Sequence, residues 1–248
     1  MTLLMQKVVI AIVLCLHMCL SAVFGQQKAL QAEHVTYTDL VKKGYGLDQD
    51  LVNGLQYYNR YIRCKGDPYF QSNHFRKGSI TIEGEIFYDV RLKFDIHSQH
   101  VELEYKNFSG GSNRVVTIFD RVDAFFCGEH QFQKLSLDKG SEKYYQVIPT
   151  ACFTIYVFWE KGLVPVSGNT TYTDQFTDAR HSFWLNLNGE ILPFNSRKDF
   201  TEYFPEEQKK EIKRLLKRNQ FKFRTAQVGE VTRNMQSVCN LLEGREIN

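Results

Sequence analysis

Hydrophobic and polar residues alternate along positions 78–105, and this alternation predicts three consecutive antiparallel strands. A period of two places successive side chains on opposite faces of a strand, so one face is expected to be buried and the other wet. Weak turn signals at Gly84-Glu85 and at 97–100 separate the strands. The apolar positions of this meander are Ile80, Ile82, Ile86, Tyr88, Val90, Leu92, Phe94, Ile96, Val101, Leu103 and Tyr105.

Strand signals flank the meander on both sides. Apolar runs predict short strands at 57–64, 115–119, 122–126, 132–137 and 144–148. The run CFTIYVFW at 152–159 is almost continuously apolar, which predicts the most buried strand, covered on both faces. Asn188-Gly189 then predicts a tight turn between two further strands.

The hydrophobic period becomes helical after Asn195. Ser196 is a favourable N-cap with Asp199 three positions later, and Pro205 suits the start of a second helix. Apolar positions between 228 and 242 predict a last helix with one face for packing. The predicted fold class is α+β, mainly antiparallel β: a curved sheet or β-sandwich with C-terminal helices packed on one side.

Residues 1–25 predict a secretory signal peptide. Lys7 precedes an apolar run at 8–20, and small residues lead to an expected cleavage between Gly25 and Gln26. The apolar run is short for a bilayer span, which favours cleavage over an uncleaved anchor. The predicted signal peptide leads us to expect export to the periplasm or cell envelope. No later stretch has the pattern of a transmembrane helix.

The remaining chain, 26–248, is expected to form a single β-rich domain whose segment 196–248 is helical. Hydrophobic residues make up 43% of the sequence, which is enough to bury a sizeable core. The formal net charge is +3, and loss of Lys7 with the signal peptide brings it closer to neutral. This balance argues against nucleic acid as a partner.

Four cysteines remain after signal removal: Cys64, Cys127, Cys152 and Cys239. They are spread too widely for a zinc-binding pattern, and no Cys-x-x-Cys pair exists. Export permits disulfides, and four cysteines allow three pairings. The alternative is that they are small buried apolar residues.

Several short segments occur in an order that resembles a group of uncharacterised exported proteins common in Bacteroidetes-type bacteria. These segments include Asn53-Gly54, Gly66-Asp67-Pro68-Tyr69-Phe70, Tyr88-Asp89-Val90, Phe183-Trp184-Leu185 and Arg197-Lys198-Asp199-Phe200. The resemblance covers most of the chain after the signal peptide. It implies export and a β-rich body with C-terminal helices, and it brings no activity or catalytic residue.

A local disulfide between Cys127 and Cys152 is predicted. Where a typical member of the resembled group has an aliphatic or charged pair, this chain has these two cysteines. The hairpin expected at 132–148 lies between them and can return both ends to one sheet edge. A bridge requires Cα atoms about 4.4–6.8 Å apart.

Asp95, His97 and His100 are the weak candidates for a metal site, because alternate strand residues and a turn can converge on one ion. A third firm ligand cannot be named, and His-x-x-His with one carboxylate is common by chance. No metal or other cofactor is therefore predicted.

Catalytic motifs are weak throughout the sequence. It contains no Gly-x-Ser-x-Gly elbow, and Cys127 with His130 lacks an orienting third group. We therefore predict a protein that is not an enzyme, with a hydrolase as the second alternative. The basic segment 209–224 is compatible with anionic lipid or nucleic acid, but a solvated helix face is the favoured interpretation.

Five aromatic residues form a candidate ligand groove: Tyr57, Tyr58, Tyr61, Tyr69 and Phe70. Aromatic side chains line apolar pockets, but they also fill β-sheet cores without any ligand. The predicted function is a binding or assembly module of the cell envelope whose partner is another envelope protein. The alternative is a carrier that holds a lipid or other hydrophobic ligand in the aromatic groove.

Overall fold

The computed structural model describes residues 51, 53–106, 111–137, 141–168 and 171–244. All of them belong to one compact unit, Gln49–Asn248. The predicted signal peptide and its cleavage site at Gly25/Gln26 lie outside the described residues. The fold is α+β with mainly antiparallel strands, followed by C-terminal helices, as the sequence predicted.

Within the described residues, two sheets are present. The strands are β1 Leu55–Gln56, β2 Cys64–Lys65, β3 Arg76–Ile82, β4 Glu85–Asp95, β5 His100–Lys106, β6 Ser112–Val116, β7 Val122–Cys127, β8 His130–Leu135, β9 Lys143–Pro149, β10 Thr154–Glu160, β11 Leu163–Pro165, β12 Asp174–Phe176, β13 Arg180–Leu187 and β14 Glu190–Phe194. A curved 11-stranded sheet has the order β1-β6-β5-β4-β3-β7-β8-β9-β10-β13-β14. A small 3-stranded sheet has the order β11-β12-β2.

The predicted meander is β3, β4 and β5, which pair as consecutive antiparallel neighbours. The Asn188-Gly189 hairpin joins β13 to β14, and both residues have the positive φ that this turn requires (54° and 88°). The prediction of a strand at 57–64 is wrong. That segment is mostly turn between β1 and β2, because Asn59 accepts a hydrogen bond from the Tyr61 backbone N–H and bends the chain.

One face of the large sheet, here the inner face, carries the hydrophobic core. The core includes Ile80, Leu92, Phe94, Phe125, Phe132, Tyr144, Ile155, Val157, Phe183, Leu185 and Phe194. Its aromatic rings pack edge-on or stacked with centroids about 5 Å apart, as in the contacts of Phe132 with Phe94 and Phe125. Among the described residues, aromatic side chains thus pack against one another along the inner face.

Three helices close the inner face: α1 Arg197–Glu202, α2 Glu206–Arg218 and α3 Val228–Leu242. Ser196 caps α1 by accepting the Asp199 N–H at 3.1 Å, and Pro205 precedes α2, as predicted. Buried residues of all three helices join the core formed by the sheet. Among the described residues, no helix combines the length and apolarity needed to cross a bilayer.

The predicted Cys127–Cys152 bridge is wrong. Cys152 instead forms a disulfide with Cys239 of α3, with Cα atoms 5.6 Å apart, while Cys127 is a buried free thiol. Cys127 lies on β7 opposite His130 of β8, and β8 and β9 then place two strands between β7 and β10. The sheet order thus separates the two cysteines that the hairpin was expected to bring together.

Strand β10 is buried on one face and half-buried on the other, so the expectation that both faces are covered is wrong. Phe153, Ile155 and Val157 are buried, whereas Tyr156 and Phe158 retain solvent exposure. The outer-face neighbours of Phe158 include Tyr145 and the Lys143 ammonium, 4.8 Å from its ring centre. The alternation along β10 predicts which of its side chains matter most for stability.

Truncating Ile155 to Ala is expected to lower the free energy of unfolding by about 2–5 kcal/mol, because the side chain is fully buried. Phe158→Ala, at the half-buried outer face, is expected to cost only about 1–2 kcal/mol despite the larger ring. Urea unfolding of both variants measures the difference. An equal loss in the two variants would mean that the faces of β10 are wrongly assigned.

Candidate functional site

The outer face of the large sheet carries a ladder of charged residues on β4 and β5. Lys93 lies directly opposite Glu102, and Asp95 lies opposite His100. These residues share a face because they are separated by two along each strand. The chain before β3 crosses this end of the sheet, and Tyr69 forms an isolated bridge with Asp95.

A recess lies between this ladder and the turn segment that follows β1; it is here the tyrosine recess. Its volume is about 60 Å³, which is enough for a head group or the end of a side chain. Its walls contain three tyrosines, and two carboxylates and a histidine also line it. The lining residues are Leu55, Gln56, Tyr57, Tyr58, Arg60, Tyr61, Asp95, Ser98, His100, Glu102 and Val116.

A buried ion pair supports the recess. The Lys93 ammonium lies 3.1 Å from Glu102 Oε2, and both side chains are about 95% buried. The Tyr69 hydroxyl donates to Glu102 Oε1 at 2.8 Å, and Lys93 donates to Asn73 at 3.0 Å. The Lys93 ammonium also lies 3.7 Å from the centre of the Tyr69 ring. The charges are thus held by specific contacts rather than by water.

Burial shifts the ionisation of all three groups in this cluster. It lowers the pKa of Lys93 and raises the pKa of Glu102, and the attraction between the two charges opposes both shifts. Burial, together with hydrogen bonding to Tyr57 and the charge of Glu102, also raises the pKa of Tyr69, so its hydroxyl remains a donor. The Oε2 atom of Glu102 is buried and faces the Lys93 ammonium at 3.1 Å, so this carboxylate is held by contacts within the protein.

Asp95 has a structural role in the turn between β4 and β5. Its Oδ1 accepts the backbone N–H groups of His97 and Ser98 at 2.8 and 2.9 Å, and its Oδ2 accepts the Ser98 hydroxyl at 2.6 Å. These bonds close the turn in which Gln99 adopts a positive φ of 57°. Asp95 thus contributes negative charge to the recess while its oxygens fix the turn.

Tyr57, Tyr58 and Tyr61 lie in the segment that follows β1, which turns at 60–63 and places them along the recess. Tyr57 lies with its ring centre 5.7 Å from the Lys93 ammonium. Tyr61 packs edge-on against His97 and Phe176, and burial with the nearby Asp95 charge raises its pKa. Tyr58 is 70% exposed and forms the outer rim.

The five aromatic residues proposed as a groove do not all lie together. Tyr57, Tyr58 and Tyr61 line the recess, but Tyr69 is buried below it beside the ion pair. Phe70 is on the other side of the sheet, in the core against Phe132 and Trp159. The segment at 69–70 is extended along β4, so consecutive side chains point to opposite faces.

The three residues considered as metal ligands do not all face the same site either. Asp95 and His100 line the recess, whereas His97 turns away and its Nδ1 lies 2.9 Å from the Lys161 carbonyl. Within the part of the chain that the structure describes, the group with metal-ligand spacing is Cys152, Cys239 and Glu243, and its two sulfurs form the disulfide. Asp95, His97 and His100 are therefore not assigned as ligands.

Sequence reasoning missed Lys93 and Glu102, which alternation assigned to a wet face. The missing information was the register of β4 and β5 and the cover supplied by Tyr69. Pairing the two strands about the 97–100 turn would have placed Lys93 opposite Glu102.

Comparison with known proteins gives this chain no relative. No family model, curated protein or solved structure matches it. The resemblance to Bacteroidetes-type exported proteins therefore stays a prediction. Function has to be inferred from the chemistry of the tyrosine recess.

Proposed function

We propose that this chain is an exported binding module without catalytic activity, and that it binds its ligand in the tyrosine recess. The observation that carries the proposal is the recess itself: three tyrosines surround carboxylates that lie on a paired region of the sheet. Tyrosine gives a large contact area at a low cost in side-chain entropy, which suits recognition. Both carboxylates of the recess are buried and held by the protein: Glu102 contacts Lys93 and Tyr69, and Asp95 closes the turn, which favours a positioning role over proton transfer.

The chemistry of the recess favours an alkylammonium group, such as the end of a lysine side chain of an envelope protein. Aromatic faces and carboxylates both attract organic cations. The fold already holds one ammonium in this way, since Lys93 lies 3.7 Å from the Tyr69 ring centre and 4.8 Å from that of Phe75. Arg60, which also lines the recess, is exposed, so solvent screens its charge.

A surface site is favoured over an interior lipid cavity. The described side chains of the inner face pack together in one hydrophobic core, and the recess on the outer face holds about 60 Å³. A small recess of this kind suits the end of a group presented by a partner better than an entire acyl chain.

Affinity for n-butylammonium, measured by calorimetry, tests the proposal with n-butanol as the uncharged probe of equal length. We expect n-butylammonium to bind and n-butanol to bind much more weakly. Tyr58→Ala is expected to weaken binding about two- to fivefold, which corresponds to one exposed cation–π contact. Tyr88→Ala is the matched control, because Tyr88 is 72% exposed and does not line the recess. Equal binding of the alcohol, or equal loss in both variants, would contradict the proposal.

Export is supported by the Cys152–Cys239 disulfide, because such bonds persist in oxidising compartments. We expect the mature protein to begin at Gln26. N-terminal sequencing of protein from the cell envelope measures this directly. An intact Met1 terminus in protein from the cytoplasm would contradict export.

A further inference from the structure

A second surface feature lies where β13 meets the start of α1 and the segment before α3; it is here the basic groove. Its volume is about 580 Å³. Two arginines and a lysine are among the residues that line it, and no carboxylate is. The lining residues are His181, Phe183, Asn195, Ser196, Arg197, Lys222, Phe223 and Arg224.

The three cations have no compensating charge in the described structure. Arg197, Lys222 and Arg224 form no salt bridge with any described residue, whereas Lys209 on α2 contacts both Glu202 and Glu206. Asp199, in the first turn of α1, accepts the Asn195 backbone N–H at 3.3 Å. Like charges gathered without a counter-ion repel one another, so the groove favours an anion.

The groove rests on a rigid base. Phe183 and Phe223 are buried and pack with ring centroids 5.1 Å apart, and Phe223 also contacts Phe194. His181 donates from Nε2 to the Phe223 carbonyl and so fixes the loop that carries Lys222 and Arg224. The other ring nitrogen of His181, Nδ1, is buried and has no hydrogen-bond partner among the described residues.

We propose that the basic groove is a second binding site, separate from the tyrosine recess, and that it binds a phosphate group. The planar guanidinium forks of Arg197 and Arg224 match two phosphate oxygens each, and Lys222 adds a third positive charge. The phosphate belongs to a soluble phosphomonoester or to a lipid head group. Both sources present the same oxygens to the groove.

Binding of glycerol 3-phosphate to the full chain, measured by calorimetry, tests the site. The double variant Arg197→Gln/Arg224→Gln is expected to bind about tenfold or more weakly. The control Arg214→Gln/Arg218→Gln removes the same charge from exposed positions on α2 that do not line the groove. It is expected to change binding less than twofold. Equal losses in both double variants, or no binding by the original protein, would overturn the proposal.

Vesicles distinguish the two sources of phosphate. Binding to phosphatidylglycerol vesicles that glycerol 3-phosphate displaces, and that only the groove variant loses, identifies a lipid head group. Binding of the soluble ester without vesicle binding identifies a soluble ligand. Vesicle binding that both double variants lose equally and that the ester does not displace would overturn the groove as a specific site.

Two further variants separate a loss of ester binding from a loss of folding and from a change in the tyrosine recess. Lys222→Gln changes one exposed cation and is expected to weaken binding of the ester at least threefold while the thermal midpoint stays unchanged. Tyr58→Ala is expected to leave binding of the ester unchanged. A loss of ester binding in Tyr58→Ala would mean that the groove is not a separate site.

Discussion

Reducing the Cys152–Cys239 disulfide is expected to lower the free energy of unfolding by about 4–5 kcal/mol. The bond joins the start of β10 to α3 across a sequence separation of 87, and the chain-entropy model gives large stabilisation for so long a loop. A loss of this size is a large fraction of the stability of an ordinary domain. Urea unfolding with and without reductant measures it.

The control for this experiment is Cys64→Ser, which removes a half-buried free thiol and is expected to change stability by less than about 1 kcal/mol. Mass spectrometry of unreduced, denatured and alkylated protein gives the pairing. We expect alkylated Cys64 and Cys127 and a linked pair of peptides containing Cys152 and Cys239. Alkylation of all four, or a linked Cys127, would contradict the assignment.

Lys93→Met is expected to lower the free energy of unfolding by about 3–5 kcal/mol, because it leaves the Glu102 carboxylate buried without its partner. The double variant Lys93→Met/Glu102→Leu is expected to recover part of this loss, since apolar residues can replace a buried ion pair at little cost. About 1–3 kcal/mol is expected to remain, because the Tyr69 hydroxyl then loses its acceptor.

The neighbouring charged pair on β4 and β5 supplies the control. Arg91 pairs with Glu104 at 2.7 Å on adjacent positions of β4 and β5, but the arginine side chain is 56% exposed. Arg91→Met is therefore expected to cost less than about 1 kcal/mol. Similar losses for Arg91→Met and Lys93→Met would show that burial does not distinguish the two pairs.

The parts of the fold that sequence predicted are those fixed by local chemistry. The β3–β5 meander follows from alternation, the β13–β14 turn from Asn188-Gly189, and the start of α1 from the Ser196 cap. Each of these signals operates within a few residues. Local pattern alone was therefore sufficient for the fold class and for most element positions.

The disulfide was not predictable because it depends on the order of strands in the sheet. Cys152 lies closer in sequence to Cys127, but β8 and β9 intervene in the sheet and α3 returns Cys239 to the start of β10. Chain distance is a poor guide to pairing once strands and helices pack together. The correct partner required the tertiary arrangement.

The tyrosine recess was predicted in part. Tyr57, Tyr58 and Tyr61 were singled out as aromatic residues that could line a ligand groove, and they line the recess. Tyr69 and Phe70 were grouped with them by sequence proximity, although neighbouring residues of an extended segment face opposite ways. Lys93 and Glu102 went unnoticed because charged residues on a strand are usually solvated.

The most direct test of the proposed function is the location of bound n-butylammonium by two-dimensional amide NMR on the full chain. The proposal predicts concentration-dependent shifts centred on residues 57–61 and 95–102, with n-butanol producing much smaller changes at the same amides. Shifts centred elsewhere in the chain, or none at millimolar ligand, would contradict the assignment of the tyrosine recess as the binding site.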